Sequence, residues 1–299
     1  EFVPSLLDIG VSEAEAAAAA RTDPRSVMAF RGGEGAAGER LRHYLDSGAV
    51  KSYFDTRNQM LGADGSTKLS PWLALGCISP VTIYHAIKAY EAKQGANKST
   101  YWVQFELTWR DYFRFFFIKH GRKMFLMDGP GGRAYKWRRD PDRIARWKAG
   151  CTGYPLVDAC MREMAATGWM SNRGRQNVAS YLCMDLDVDW RIGADHFESV
   201  LLDYDVYSNW GNWAVAADVV GGRRNVFNIS KQARDYDLRG DYVRHWLPEL
   251  RGVSPRHIIE PWRMTEADQR EARCVLGRDY PHPGKPFCVP GGGAGAAAG

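Results

Sequence analysis

Between Gly168 and Trp213 the chain crowds polar and redox-active side chains into segments that otherwise look like buried helix. Asn172, Arg173, Arg175, Gln176 and Asn177 follow Gly168, and Asp203, Asp205 and Asn209 come later, with Trp190 and Trp213 spaced among them. A buried guanidinium needs a carboxylate or an anionic ligand. Arg175 is therefore expected to meet Asp203 or Asp205 across the bundle, either as a structural ion pair or as part of a shell around a ligand. Unpartnered polar groups are costly to bury. Tryptophan is readily oxidised, so Trp137, Trp190 and Trp213, from three separate segments, can carry an electron hole to the surface; each can equally be ordinary core.

Two further constellations read in two ways. Gly65-Ser66-Thr67-Lys68-Leu69-Ser70-Pro71 is a hydroxyl-rich turn entering a helix. Its backbone N–H groups and hydroxyls can converge on a phosphate, or Ser70 can simply cap the helix ahead of Pro71. Glu106, Trp109, Arg110 and Phe113 recur at i, i+3, i+4 and i+7 and share one helical face. That face is either core or the wall of a cleft that stacks a base and holds its polar edge. The seven histidines are scattered without a nucleophile elbow, and no GxGxxG or P-loop occurs. Six cysteines form no CxxC pair and have no histidines at zinc-ligand spacing, so reduced thiols are expected and no metal.

The scaffold that must position these groups is predicted to be all-α. Leu156, Val157, Cys160, Met161 and Met164 follow the helical period, as do Tyr242, Trp246, Leu247 and Leu250, and Tyr101 to His120 reads as an aromatic helix. Ser70-Pro71 and Ser79-Pro80 mark helix starts. With 299 residues, 45% hydrophobic and 25% charged, the chain can bury a sizeable core. No apolar run approaches the roughly 20 residues of a membrane span. A soluble monomer is expected, without a membrane partner. The net charge of +5 permits an anionic partner without demanding one. Residues 1–40 read as a linker with one short helix, 41–262 as the helical domain, and 263–299 as a largely disordered extension ending in a Gly/Ala run.

Taken together and in order, these motifs resemble the helical FAD-binding domain of the photolyase/cryptochrome family, most closely its DASH cryptochrome branch. The resemblance runs from about Tyr44 to Trp262, through Thr56-Arg57-Asn58, the Ser66 to Gly76 string, Tyr101 to Tyr112, Gly168 to Ser180, Asp203-Tyr204-Asp205 and Trp246 to Leu250. The Asn-Arg-Gly-Arg-Gln-Asn-Val-Ala-Ser string at 172–180 points to the DASH branch.

The resemblance implies a U-shaped FAD, with Tyr53 and Ser66, Thr67, Lys68, Leu69 and Ser70 at its phosphates and ribityl chain. Arg175 and Asp203 would pair over the isoalloxazine. Tyr204, Asp205, Asn172 and Arg110 would also belong to the cofactor shell, and Asn209 would face N5. The relay would run from Trp213 nearest the flavin through Trp190 to Trp137 at the surface. Glu106, Trp109, Arg110, Asn172, Arg173, Gln176 and Gln232 would take DNA, with a cyclobutane pyrimidine dimer flipped out of a single strand and split by light-driven electron transfer, Glu106 contributing to catalysis. The antenna folate, methenyltetrahydrofolate, belongs to an amino-terminal α/β domain of the full-length protein, so the chain reads as a fragment that begins in the interdomain linker. An intracellular site is implied, plastid or mitochondrion in a photosynthetic eukaryote. Two departures stand out: Val215 occupies a position where the family usually places Trp or Tyr against the lesion, and the loop Asp218 to Asn225 is short and Gly-rich. The alternative reading is a blue-light photoreceptor that signals through FAD photoreduction without repair.

Overall fold

The computed structural model describes residues 4–19, 22–221 and 226–283. Residues 222–225 of the Gly-rich loop, and the tail after Pro283 with Cys288, lie outside the described residues. Among those described there is no strand; the elements are helices, as the periodicity predicts. The first half of the chain forms α1 (Glu13–Ala19), α2 (Glu34–Asp46), α3 (Tyr53–Thr56), α4 (Ser70–Ala74), α5 (Pro80–Gln94) and α6 (Lys98–His120). The second half forms α7 (Pro141–Lys148), α8 (Pro155–Thr167), α9 (Asn172–Ser180), α10 (Trp190–Val200), α11 (Val206–Ala216), α12 (Ile229–Tyr236), α13 (Asp241–Trp246) and α14 (Glu266–Ala272).

Local chemistry explains several of these boundaries. Asn97 and Thr100 form a reciprocal capping box that starts α6, and Ser79 caps α5 through Val81 N at 3.2 Å. Ser70 is not a cap: α4 begins on it, after Leu69 in a helical conformation, and its hydroxyl makes no capping bond. Helix α8 stops at Gly168, which takes φ 67°. A Cβ there would lie 2.7 Å from Leu202, so only glycine allows the chain to turn this close to the α10–α11 connection.

Two apolar clusters result. The smaller gathers Leu41, Tyr44, Leu69, Trp72, Ile83, Ile87 and Val103 from α2 to the start of α6. The larger gathers residues of α8, α10, α11 and α13, including Val157, Met161, Trp190, Trp213 and Trp246. Helix α6 has 23 residues and runs through both, contributing Val103 to one and Phe117 to the other.

Two domain boundaries move. Helix α2 begins at Glu34 and buries Ala37 and Leu41, so the predicted linker ends about six residues earlier than the Gly-rich composition suggests. The segment before it is also held, with Arg25 stacked 4.4 Å above the Trp246 ring and Trp72 Nε1 donating to the Arg31 carbonyl at 2.8 Å. At the other end, order continues past Trp262. Helix α14 forms, and Cys274 and Tyr280 are fully buried. The cause lies far away in sequence: the Tyr280 hydroxyl donates at 2.6 Å to Asp158, a buried carboxylate that also accepts from Thr152 N, Thr152 Oγ1 and Gly153 N. Tyr280→Phe leaves one acceptor of Asp158 short and should lower the free energy of unfolding by about 1–3 kcal/mol. Urea denaturation checks this, and an unchanged midpoint would remove residues 264–283 from the cooperative core.

Candidate functional site

A cavity of about 380 Å³ opens where the two clusters meet, walled by Tyr53 and Leu69 from the smaller and by Phe197, Leu201 and Trp213 from or beside the larger. The turn before α4 supplies Ser66, Thr67, Lys68, Leu69 and Ser70, and α6 supplies Glu106. Helix α9 adds Asn172, Arg175 and Gln176; the α10–α11 connection adds Asp203, Tyr204 and Asp205; α11 adds Asn209 and Trp213. Five stretches spread between Ser66 and Trp213 thus converge on one space.

Its charge is unusual. Lys68 is only 4% exposed and sits at a positive φ of 56°. Its ammonium lies 4.5 Å over the Trp169 ring and bonds Ser66 Oγ at 3.2 Å, while no carboxylate among the described residues lies within salt-bridge distance. Burial depresses its pKa to about 8. The acid that acts on it most strongly, Glu163 of α8, is itself buried and pushed up to about 8, with the Tyr242 hydroxyl donating to it at 2.6 Å and the Lys68 and Arg175 cations opposing the rise. Near neutral pH, then, Lys68 stays a cation facing a mostly protonated acid.

Arg175 Nη2 contacts both oxygens of Asp203, at 2.8 and 3.0 Å, and its Nε donates to the Met170 carbonyl at 2.9 Å. Asp205 caps α11 by accepting from Ser208 N at 2.8 Å. Asn209 donates through Nδ2 to the Ala194 carbonyl at 3.0 Å, which leaves its amide oxygen as the group it can offer to a ligand. Burial raises the Glu106 pKa against the opposing effects of the Trp102 indole, which donates to it at 3.1 Å, and of Arg57.

Several predicted residues stand outside the wall. Arg110 turns toward the Leu73 carbonyl, 3.5 Å away, and Trp109 is 41% exposed beside Tyr112. Helical spacing places both on the Glu106 face, yet it does not say where a long side chain ends. Arg173 lies over Tyr236 at 4.5 Å and bonds Asn58 Oδ1 at 3.2 Å, and Gln232 of α12 does not reach the cavity. Of the three tryptophans expected to form a relay, Trp213 lines the cavity, Trp190 is fully buried with Nε1 donating to the Met127 carbonyl, and Trp137 is half-buried. Gly193 makes this packing possible, because a Cβ there would collide with the Trp213 ring. The bond from Arg138 N to the Asp187 carbonyl at 2.7 Å sets the Trp137 segment alongside the residues that lead into α10.

Sequence reasoning missed Ser208 and Asn212, cavity residues whose i and i+4 spacing on α11 was available beside Asp205 and Asn209. It also missed Glu163, a buried acid in a largely apolar helix. That residue makes the site pH-linked. The unfolded carboxyl titrates near 4.5 and the folded one at about 8. The native state therefore keeps a proton the unfolded chain has released, and this stabilisation is complete below the unfolded pKa and lost as pH rises through about 8. Lys68 acts in the next window, where its depressed pKa makes stability rise with pH. Glu163→Gln should flatten the decline of unfolding free energy between about pH 5 and 8, by a slope approaching about 1.4 kcal/mol per pH unit. Urea denaturation across that range checks it, and parallel curves for the two proteins would contradict the assignment.

Residues 102–285 match the family model described as the FAD binding domain of DNA photolyase. The chain is 55% identical over 261 residues to the cryptochrome DASH, chloroplastic/mitochondrial, of Ostreococcus tauri, covering 87% of this chain and 47% of that protein. Among solved structures it is similar to a Synechocystis cryptochrome, with a TM-score of 0.86 at 51% identity over 88% of this chain and 55% of that one. A class III photolyase from Agrobacterium tumefaciens gives a TM-score of 0.78 at 33% identity over 84% and 52% of the two chains. The chain spans about half the length of the curated relatives it matches. Its helical fold, its matched domain and the names of its relatives agree that the chain belongs to the photolyase/cryptochrome family, on the DASH cryptochrome branch.

Proposed function

We propose that the cavity binds FAD and that the protein uses it for light-driven splitting of pyrimidine dimers in single-stranded DNA. The observation that carries this reading is Lys68, a buried cation that no carboxylate among the described residues bonds, on the wall it shares with the Arg175–Asp203 pair and Trp213. Such a charge is stabilised by an anionic ligand, and Ser66, Thr67 and Ser70 beside it supply hydroxyls suited to a pyrophosphate. The donor set fits FAD: Tyr53 and residues 66–70 would hold its phosphates and ribityl chain, while Arg175, Asp203, Tyr204, Asp205, Asn172 and Asn209 would surround the ring system. Bound there, FAD supplies light absorption and one-electron chemistry.

The chain's own groups do the rest. The Asn209 amide oxygen can accept a hydrogen bond from a ring N–H. Glu106, kept protonated more readily by its burial, can donate to a pyrimidine carbonyl at the cavity mouth. Outside, α6 exposes Tyr101, Trp109, Tyr112 and Phe115, with Arg114, Lys119, Arg122 and Lys123 on or just after it. Aromatic rings interleaved with basic residues suit a flipped or unpaired strand, whose bases stack without sequence preference. The chloroplastic/mitochondrial naming of the Ostreococcus and rice relatives extends to this protein as a proposed organellar site.

One observation favours a second reading. Val215 lines the cavity and is 49% exposed, so no aromatic side chain at that position closes on a flipped base. A photoreceptor that photoreduces FAD without repair would need none.

A dimer-containing single-stranded oligonucleotide, the FAD-loaded protein, a reductant and blue light decide between the two. Repair predicts loss of dimers. Val215→Tyr should then tighten oligonucleotide binding by about 1–3 kcal/mol, the worth of one stacking contact. Intact dimers alongside efficient FAD photoreduction would contradict repair and leave the photoreceptor reading standing.

A further inference from the structure

The surface end of the tryptophan relay has a neighbour that the functional reading does not use. Tyr135 lies two residues before Trp137, with ring centroids 5.3 Å apart at 57°. Its hydroxyl donates to Asp218 Oδ2 at 2.7 Å. Asp218 is 4% exposed and also pairs with Arg133. It follows the end of α11 in a left-handed conformation, φ 60°, that few non-glycine residues adopt outside sites where something holds them. The two segments are tied together, Gly131 N donating to the Val219 carbonyl at 2.7 Å. Ring, carboxylate and cation are thus held by backbone pairing rather than by chance of rotamer.

The two aromatic rings differ in where a proton can go. Trp137 Nε1 is buried and has no hydrogen-bond partner among the described residues. An indole oxidised there keeps its N–H proton for want of an acceptor and stays a radical cation, a strong oxidant. The Tyr135 phenol has an acceptor already bonded to it. Phenol oxidation is favourable only when the proton leaves with the electron, and the 2.7 Å bond provides that route.

We propose that Tyr135, with Asp218 as its proton acceptor, is the terminal hole acceptor of the relay. One electron passes from the Tyr135 ring to the Trp137 radical cation, restoring neutral Trp137. The phenolic proton passes to Asp218, giving a neutral tyrosyl radical and a protonated carboxyl next to Arg133, whose partly exposed guanidinium is solvated in the absence of its counter-charge. Bound, oxidised FAD would supply the primary oxidant on photoexcitation, and Trp213, Trp190 and Trp137 would carry the hole outward; to that extent the proposal rests on the reading above. Moving both the charge and the proton away from Trp137 prevents the simple return of the electron and lengthens charge separation.

A competing end point exists. Trp210 lies 5.7 Å from Trp190, and its Nε1 donates to Glu198 Oε2 at 3.0 Å, so a hole could come to rest there as a neutral tryptophanyl radical. The test is light-induced electron paramagnetic resonance and transient absorption of the FAD-loaded protein without added reductant. A tyrosyl radical is expected in the wild type. It should be lost in Tyr135→Phe and replaced by a tryptophanyl radical that recombines faster. Asp218→Asn should also lose it, since an amide accepts the hydrogen bond but not the proton, and asparagine tolerates the same backbone conformation. A tryptophanyl end state in the wild type, or a tyrosyl signal that survives Tyr135→Phe, overturns the proposal. A second arm separates it from the flavin reading. In the protein without FAD, azidyl radicals from pulse radiolysis oxidise tryptophan directly, and the ensuing transfer to tyrosine should be reduced in both Tyr135→Phe and Trp137→Phe, the remainder coming from other pairs such as Trp109 and Tyr112. Undiminished transfer in those variants overturns the proposal whatever becomes of the flavin, whereas its reduction there supports it even if FAD photoreduction fails.

Discussion

The bond between Arg175 and Asp203 is the contact on which the site depends. It joins the start of α9 to the connection that leads into α11, with the guanidinium bonded at once to both carboxylate oxygens and to the Met170 carbonyl. Removing either partner would leave a largely buried charge alone, at a cost of several kcal/mol. Because α9 and α11 carry Asn172, Gln176, Asn209 and Trp213, fixing their relative position fixes most of the cavity wall. Lys68 is the complement to this pair. One cation is neutralised inside the protein and the other is left for a ligand, so the cavity carries a positive charge beside the hydroxyls of residues 66–70.

Much of this was legible in the sequence because each motif is local. Residues 66–70, 172–176 and 203–209 stand out as polar groups against apolar helical patterns, and each string keeps its members on one turn or one helix face. Long-range consequences were not legible. Glu163 is a single acid among Met161 and Met164, and the hydroxyl that bonds it comes from Tyr242 on another helix. The stretch after Trp262 has too little apolar bulk to predict order, yet one hydrogen bond to Asp158 holds Tyr280 in the core. Arg110 shows a limit of another kind: spacing assigns a face, but the reach of a flexible side chain is decided by which carbonyl it meets, here Leu73.

The redox side chains show the same division between pattern and contact. Three tryptophans could be picked out as a set, but the features that would govern a hole moving through them are single atoms: the Trp190 indole bonded to Met127, the Trp137 indole with no acceptor among the described residues, and the Tyr135 phenol bonded to Asp218. Where a positive charge stops depends on where a proton can leave. Those three environments differ in that respect, although all lie in or against one packed cluster.

The central claim is that the cavity is built for a flavin carrying a pyrophosphate, not for the ring system alone. Fluorescence titration of the purified chain with FAD and with riboflavin tests it directly. The account predicts that FAD binds at least about tenfold more tightly, the worth of one charge-assisted hydrogen bond from Lys68. Equal affinity for the two, or no binding of FAD, would contradict it.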